Sequence, residues 1–431
     1  MVGVALASLD TAIANTALPA IAADLNAAPA ASIWVINAYQ LAIVATILPL
    51  AALGDIVGHR RIFIAGLALF SCASLACALA PTLSLLSGAR ALQGIGASGV
   101  MSVNVALLRF IYPPDRLGRG VGLNALTVGV SFAVGPSIAS LILSVAPWPW
   151  LFGINVPLGI AALIVAVPSL PQSPRGTHRF DTIAAVLNVV AFTALILALS
   201  SAAQREPVSW WGGALAVALV FGALLIKREH GSANPILPVD LFRRPAFALS
   251  SLTAVCTFTA QGLAFVSLPF YFEGVLHRNQ VDTGFLMSPW SIIVALAAPL
   301  AGRLSDKYPP AILGGVGLAI LALGMASMAL LPADPSVLDI CIRMTICGAG
   351  FGFFQSPNLR ALMSAAPPHR AGGASGTIAT SRLLGQATGA ALTAFCFSLA
   401  GVRGSTYALW LGAGFAAFAA VASVMRLAVR Q

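Results

Sequence analysis

The sequence predicts an all-α integral membrane protein: two six-helix bundles related by a pseudo-twofold axis along the membrane normal, plus two inserted central helices, fourteen spans in all. Three observations lead there. The 431-residue chain is 59% hydrophobic and only 8% charged, with a mean hydropathy of +0.93, whereas a soluble domain carries about 25% charged residues. Its apolar runs reach the length of about 20 residues that a helix needs to cross a bilayer. One short loop also occurs twice: Ala51-Ala52-Leu53-Gly54-Asp55 follows the second run, and Gly302-Arg303-Leu304-Ser305-Asp306-Lys307 follows the tenth. A loop repeated after the second helix of each six-helix set reads as an internal parallel repeat.

The apolar runs fall at 1–20, 33–53, 62–80, 83–108, 120–145 and 149–169, then 181–203 and 210–227. Six more follow at 246–271, 283–302, 311–331, 336–362, 372–399 and 405–427. The expected division is therefore 1–170 for the N-terminal bundle, 171–245 for the inserted helices and linker, and 246–431 for the C-terminal bundle. The linker is marked by Asn234-Pro235-Ile236-Leu237-Pro238 and by Phe242-Arg243-Arg244-Pro245, since proline and charge punctuate helices. With a cytoplasmic N-terminus, seventeen of the 23 lysines and arginines fall in inside loops. That bias supports both count and orientation. Six of the seven tryptophans (all but Trp290) lie at outer span ends, as interfacial rings do. Met1 opens directly into the first span with no basic residue before it, which predicts a longer natural N-terminus or weak anchoring of that helix.

The net charge of +10 does not point to nucleic acid, because the basic residues are scattered among short loops without interleaved aromatics. All six cysteines lie in apolar runs, where they act as small hydrophobes. The five histidines sit in separate loops without metal-ligand spacing, so no metal is expected. No P-loop or nucleophile–base constellation stands out, and an enzyme reading has little support.

The chemistry begins at Leu9-Asp10-Thr11-Ala12-Ile13-Ala14-Asn15-Thr16-Ala17-Leu18-Pro19, which puts a carboxylate in the middle of the first span. Charge at that depth costs a few kcal/mol or more, and such residues face a bundle interior or a water-filled cavity. Two readings stand: a functional acid, or a buried acid held for packing. Arg90 lies about seven residues into the fourth span, roughly 10 Å deep, and Asp10 is roughly 13 Å below the same surface, at 1.5 Å per residue. The depths match well enough for an ion pair. Asp339 and Arg343 are spaced to pair along one helix face, and Glu273 reads as a solvated rim acid. In the fifth span, Gly129, Ser131, Gly135, Ala139 and Ser140 keep one surface small, and Pro136 favours a bend, which suits either a tight packing face or a gating hinge. Asp55 is placed near the start of the third helix, accepting from free backbone N–H groups.

Taken together these stretches resemble the major facilitator superfamily, and in particular its fourteen-span drug:proton antiporters, over nearly the whole chain. Leu9 to Pro19 is similar to that group's first-helix signature. Asp55, Gly58, Arg60 and Arg61 match the loop between helices 2 and 3, with Ala51 and His59 standing where that pattern has glycine and arginine. Arg90-Ala91-Leu92-Gln93-Gly94 resembles the fourth-helix R-x-x-Q-G, and Gly122, Ser131, Gly135, Pro136, Ala139 and Ser140 occupy the antiporter motif.

The resemblance implies a proton-coupled exporter of bulky cationic or amphipathic compounds (multidrug efflux) in the inner membrane of a bacterium. Both termini would be cytoplasmic, and its partners would be small-molecule substrates, protons and lipid, with a monomer expected. An exporter of an endogenous metabolite or other organic solute is the alternative. Asp10 and Arg90 are the expected proton-coupling pair. Asp55, Gly58, Arg61, Gly135, Pro136 and Asp306 are the expected gating residues. Aromatic and polar residues of spans 1, 2, 9, 10 and 12 are expected to line a central cavity: Asn15, Asn37, Gln40, Phe258, Gln261, Phe265, Trp290, Phe354, Gln355 and Asn358.

Overall fold

The computed structural model describes residues 1–113, 117–172, 180–203, 206–230, 239–305, 307–365 and 371–427. Among these residues there is no strand, and nearly all of them are helical. The medium dictates this. In hydrocarbon no water is available to backbone N–H and C=O groups, so each apolar run closes its own hydrogen bonds as a helix.

The long helices are α1 (Val2–Asp24), α2 (Trp34–Val57), α3 (His59–Ala78), α4 (Leu83–Ile111), α5 (Leu117–Val145) and α6 (Asn155–Ser169). Next come α7 (Thr182–Ala203) and α8 (Val208–Glu229). The rest are α9 (Pro245–Gly274), α10 (Gln280–Leu304), α11 (Pro310–Ala329), α12 (Val337–Ala365), α13 (Ala371–Ala400) and α14 (Gly404–Met425). Among the described residues, thirteen stretches are long and apolar enough to cross a membrane. The last of them, Thr377–Met425, runs through both α13 and α14, which one 3-10 turn at Gly401–Arg403 joins. The chain is a multi-pass membrane protein.

Local signals set the helix ends. Thr82 caps α4 by accepting from Leu85 N at 3.3 Å, and Asn279 caps α10 by accepting from Asp282 N at 2.7 Å. At the junction of α2 and α3, Gly58 has φ +106°, a backbone state that side-chain-bearing residues avoid. Asp181 precedes α7, accepts from Ala184 N, and receives Arg228 Nε of α8 on both oxygens at 3.1 and 2.9 Å. That guanidinium holds the Asp181 carboxyl below its usual range. The pair's contribution is therefore present above the ordinary carboxyl value and is lost as pH falls through the lowered one. Both side chains are about two-fifths exposed, so it is a weak clasp between neighbouring helices.

Two compact units emerge. The first holds α1–α8 except residues 136–140 of α5 and Ala203 at the end of α7; the second holds those residues and α9–α14.

Within the first unit, α4 lies along both α2 and α3. A Cβ on Gly66 of α3 would come within 2.8 Å of the Gly96 carbonyl oxygen of α4, and one on Gly94 would collide with the Tyr39 carbonyl of α2. The second unit repeats the arrangement. There, a Cβ on Gly317 of α11 would meet the Gly350 oxygen of α12 at 2.7 Å, and one on Gly348 would collide with the Trp290 carbonyl of α10. Between membrane helices, where lipid is as apolar as leucine, such close backbone approach through small residues is the main source of adhesion.

The same contacts predict a sharp contrast between glycines. Gly94→Val should overpack the α2–α4 seam by about 1–3 kcal/mol or more, visible as a lower unfolding temperature of the purified protein. Gly414→Ala, where an added Cβ meets nothing within 4 Å, should leave that temperature unchanged in the same thermal melt.

Candidate functional site

The first unit is built around Asp10. The carboxylate lies on α1 and is 1% exposed. Its Oδ2 accepts from Arg90 Nη1 at 2.5 Å, while Oδ1 accepts from Gln93 Nε2 at 2.9 Å and from Asn155 Nδ2 at 2.8 Å. Arg90 is equally buried, donates from Nε to the Val35 carbonyl at 3.0 Å, and shares Nη1 with Gln93 Oε1 at 2.5 Å. Its guanidinium lies 4.1 Å from the Tyr39 ring centroid and 5.4 Å from that of Phe152, a cation–π sandwich. The Tyr39 hydroxyl donates back to the Ala7 carbonyl on α1 at 3.2 Å, which fixes that ring. Gln93 spends its second N–H on Ser74 Oγ of α3 at 2.8 Å, and Ser74 in turn donates to the Phe70 carbonyl at 2.7 Å.

The network gathers α1, α2, α3, α4 and the start of α6 at one point. A charge pair is tolerated this deep only when it is well hydrogen-bonded; here both carboxylate oxygens accept N–H groups, and Arg90 commits Nε and Nη1. Every group facing the carboxylate is an N–H donor, so the arrangement suits the ionised form.

Sequence reasoning set Asp10 beside Arg90 by depth, and the structure brings the two together. It named Gln93 only within the fourth-helix motif, with no role of its own, and left out Asn155, Ser74 and Tyr39. Gln93 carried a usable signal, since it follows Arg90 by three residues and shares its helix face. Asn155 offered one too, as a polar residue inside an apolar span, but its partner lies 145 residues away.

The expected cavity residues divide between the units. In the first, Asn15, Asn37 and Gln40 are at most 6% exposed, and their amide oxygens meet no donor among the described residues. Asn37 also donates to Ser200 Oγ of α7 at 3.3 Å. In the second, Phe258, Phe265, Trp290 and Phe354 belong to one apolar core. Phe265 and Trp290 meet edge to face at 5.3 Å, and Phe258 meets Phe351 at 5.6 Å. The buried Trp290 Nε1 has no acceptor among the described residues. Gln261 Oε1 accepts from Gln386 Nε2 at 3.2 Å, and Gln355 is exposed. Asn358 lies apart from this group: its Nδ2 donates to the Ser250 carbonyl and its Oδ1 accepts from Arg426 Nη1 at 2.8 Å, so its amide is already committed.

Asp55 does not start the third helix. It sits in the last turn of α2, with Oδ1 3.0 Å from His59 Nε2, because Gly58 ends α2 and takes the capping position of α3 itself. Arg61 is exposed. Arg60 donates from Nη2 to the Val167 carbonyl of α6. Gly135 is pressed against α1, where an added Cβ would collide with the Ala12 side chain. Pro136 is buried in the second unit, and a Cβ on Gly284 of α10 would collide with its carbonyl oxygen. Asp306 lies outside the described residues. Asp339 and Arg343 pair at 2.8 Å along α12. Glu273 is not a solvated rim acid: it is half-buried, and its Oε1 is sealed from solvent with no hydrogen-bond partner among the described residues. Just after it the chain folds back through Leu276 N to Tyr271 O and Arg278 N to Phe272 O.

A sequence model described as Major Facilitator Superfamily matches residues 1–390. The chain belongs to that superfamily. It is a transporter and not an enzyme. A relative in Escherichia coli (strain K12), carried as the uncharacterized transporter YebQ, is 49% identical over 99% of this chain and 94% of its own length. Riboflavin transporter RibZ of Clostridioides difficile is 30% identical over 92% of this chain and 86% of its own, and the tetracenomycin C resistance and export protein of Streptomyces glaucescens is 31% identical over 91% and 73%. Among solved structures, an inward-facing, unoccupied bacterial homolog of the human lysosomal transporter Spinster matches with a TM-score of 0.71 at 16% identity, over 100% of this chain and 96% of that one. At that identity the likeness concerns the fold alone.

A double-mutant cycle measures how far Asn155 depends on the carboxylate it serves. Asn155→Ala should destabilise the wild type by about 1–3 kcal/mol, the usual cost of stripping a partner from a buried polar group. In an Asp10→Asn background the same change should cost at least about 0.5 kcal/mol less, read from thermal melts of the four proteins.

Proposed function

We propose that this transporter is a proton-coupled exporter of bulky cationic or amphipathic compounds. It works by alternating access in the inner membrane of a bacterium, as a monomer with both termini cytoplasmic. The long helices then count as fourteen spans, arranged as two six-helix bundles with α7 and α8 inserted between them. The observation that carries the reading is the enclosed Asp10 carboxylate, held by N–H donors from Arg90, Gln93 and Asn155. Its similarity to an export protein for tetracenomycin C points in the same direction.

The coupling follows from exclusion. A single deep carboxylate holds either a proton or the charge of a bound cation, not both. With no substrate bound, Arg90 keeps Asp10 ionised, since a neighbouring opposite charge favours the charged form. When the helices move apart that pull weakens, the proton enters, and the cation is released. Within the first unit, Asn15, Asn37 and Gln40 carry amide oxygens that meet no donor among the described residues and suit a ligand's N–H groups, and within the second Phe258, Phe265, Trp290 and Phe354 offer aromatic faces to an apolar body. Asp55, Gly58, Arg61, Gly135, Pro136 and Asp306 serve the gating motion, with Gly135 and Pro136 as the hinge.

The similarity to a riboflavin transporter favours a second reading, in which the exported compound is an endogenous metabolite or another neutral organic solute. Proteoliposomes separate the two. With an imposed proton gradient and ethidium as the cation, the wild type should move the dye against its own gradient, and Asp10→Asn should fall to the level of protein-free vesicles while still folding. Ethidium binding should release protons from the wild type and fewer from the variant. Riboflavin movement without ethidium movement would select the second reading. Undiminished export by Asp10→Asn at every pH would remove Asp10 from the coupling.

A further inference from the structure

At one end of the second unit, α9 and α11 each begin on a proline, Pro245 and Pro310, and both line a cavity of about 440 Å³. Three arginines line the same space, Arg243, Arg244 and Arg426, and no carboxylate does among the described residues. Arg243 and Arg244 are exposed, and Arg244 Nη1 is steadied on the Ala365 carbonyl of α12 at 3.2 Å. A surplus of arginine at this end is what loop-charge bias would place there in any membrane protein. Arg426 does not fit that explanation, because it is only 8% exposed.

Among the described residues Arg426 reaches neutral partners only. Its Nε donates to the Ser423 carbonyl, Nη1 to Ser250 Oγ at 3.0 Å and to Asn358 Oδ1 at 2.8 Å, and Nη2 to Ser423 Oγ. A guanidinium carries five N–H donors, so one on Nη2 is left uncommitted among the described residues. No carboxylate of the described residues lies within ion-pair distance of it. Buried charges are normally paired. The first turns of α9 and α11 add the positive ends of two long helices at the same place.

We propose that this cavity binds a phosphate-bearing anion, which Arg426 meets from within and Arg243 and Arg244 clasp at the mouth. In a membrane that chemistry has two sources: the headgroup of an anionic lipid, or a free phosphate compound. The inference is independent of how the transporter couples its fluxes, because it concerns none of the residues around Asp10.

Native mass spectrometry of the full chain in detergent tests it, with phosphatidylglycerol and the zwitterionic phosphatidylcholine as the two lipids and inorganic phosphate in a parallel thermal melt. Arg426→Gln cuts a buried network and risks misfolding, so the deciding variant is the exposed pair Arg243→Gln/Arg244→Gln. Each arginine at an anionic lipid is worth about 1 kcal/mol, so losing two should weaken phosphatidylglycerol binding by at least about tenfold and leave phosphatidylcholine unaffected. That result with no response to phosphate assigns the site to lipid. Stabilisation of the wild type but not the double variant by inorganic phosphate, with displacement of phosphatidylglycerol, assigns it to a free anion. Equal phosphatidylglycerol binding by wild type and double variant, with no difference in their response to phosphate, overturns the proposal.

Discussion

A carboxylate in the middle of a membrane helix has no water to fall back on, and much of the first unit follows from that single constraint. Asp10 needs hydrogen-bond donors, and no helix can supply them to itself, since its own N–H groups are already spent on the ladder. The donors come instead from α4 and from the start of α6, and the donors themselves must be held: Arg90 by Val35, Tyr39 and Phe152, Gln93 by Ser74. One ionised group thus specifies contacts from five helices. A partly satisfied version of this network would be costlier than an apolar core of the same shape, so its members stand or fall together.

Packing in the two units answers to a different rule. Hydrophobic residues do not drive helices together in lipid, so adhesion depends on how closely backbones approach. The pairs Gly94–Tyr39 and Gly66–Gly96 in the first unit, and Gly348–Trp290 and Gly317–Gly350 in the second, occupy corresponding helices. The two units thus share the same kind of seam, a glycine against a neighbouring backbone.

What the sequence discloses tracks the energy at stake. The apolar runs are legible because backbone satisfaction in lipid leaves no other structure, and Asp10 and Arg90 because charge at that depth is too costly to be incidental. Gln93 was within reach through its spacing from Arg90, whereas Asn155 needed the fold to bring it across 145 residues. Asp55 was misplaced because a glycine with φ +106° both ended one helix and began the next, which left no cap for a side chain to fill. Arg426 read as one more loop charge at a helix end, and hydropathy cannot see that it folds back onto Ser250 and Asn358. Glu273 was hidden for a similar reason, since only the fold decides whether an acid at a helix end meets water.

The glycine seams also bear on how the Asp10 cluster can come apart. Gly94 and Gly66 fasten α2, α3 and α4 backbone to backbone, and a slip of any one along its neighbour would drive a peptide carbonyl into a Cα. Arg90, Gln93, Ser74 and Tyr39 all ride on that three-helix slab. Asp10 does not; α1 touches α2 and α4 over far shorter stretches of its length. Within this cluster the slab is therefore the more extensively fastened part, and α1 meets it over a shorter seam. A proton gained or lost at Asp10 would be felt mechanically as a change in the grip on one helix, the same helix on which Asn15 stands about 7.5 Å further along the axis.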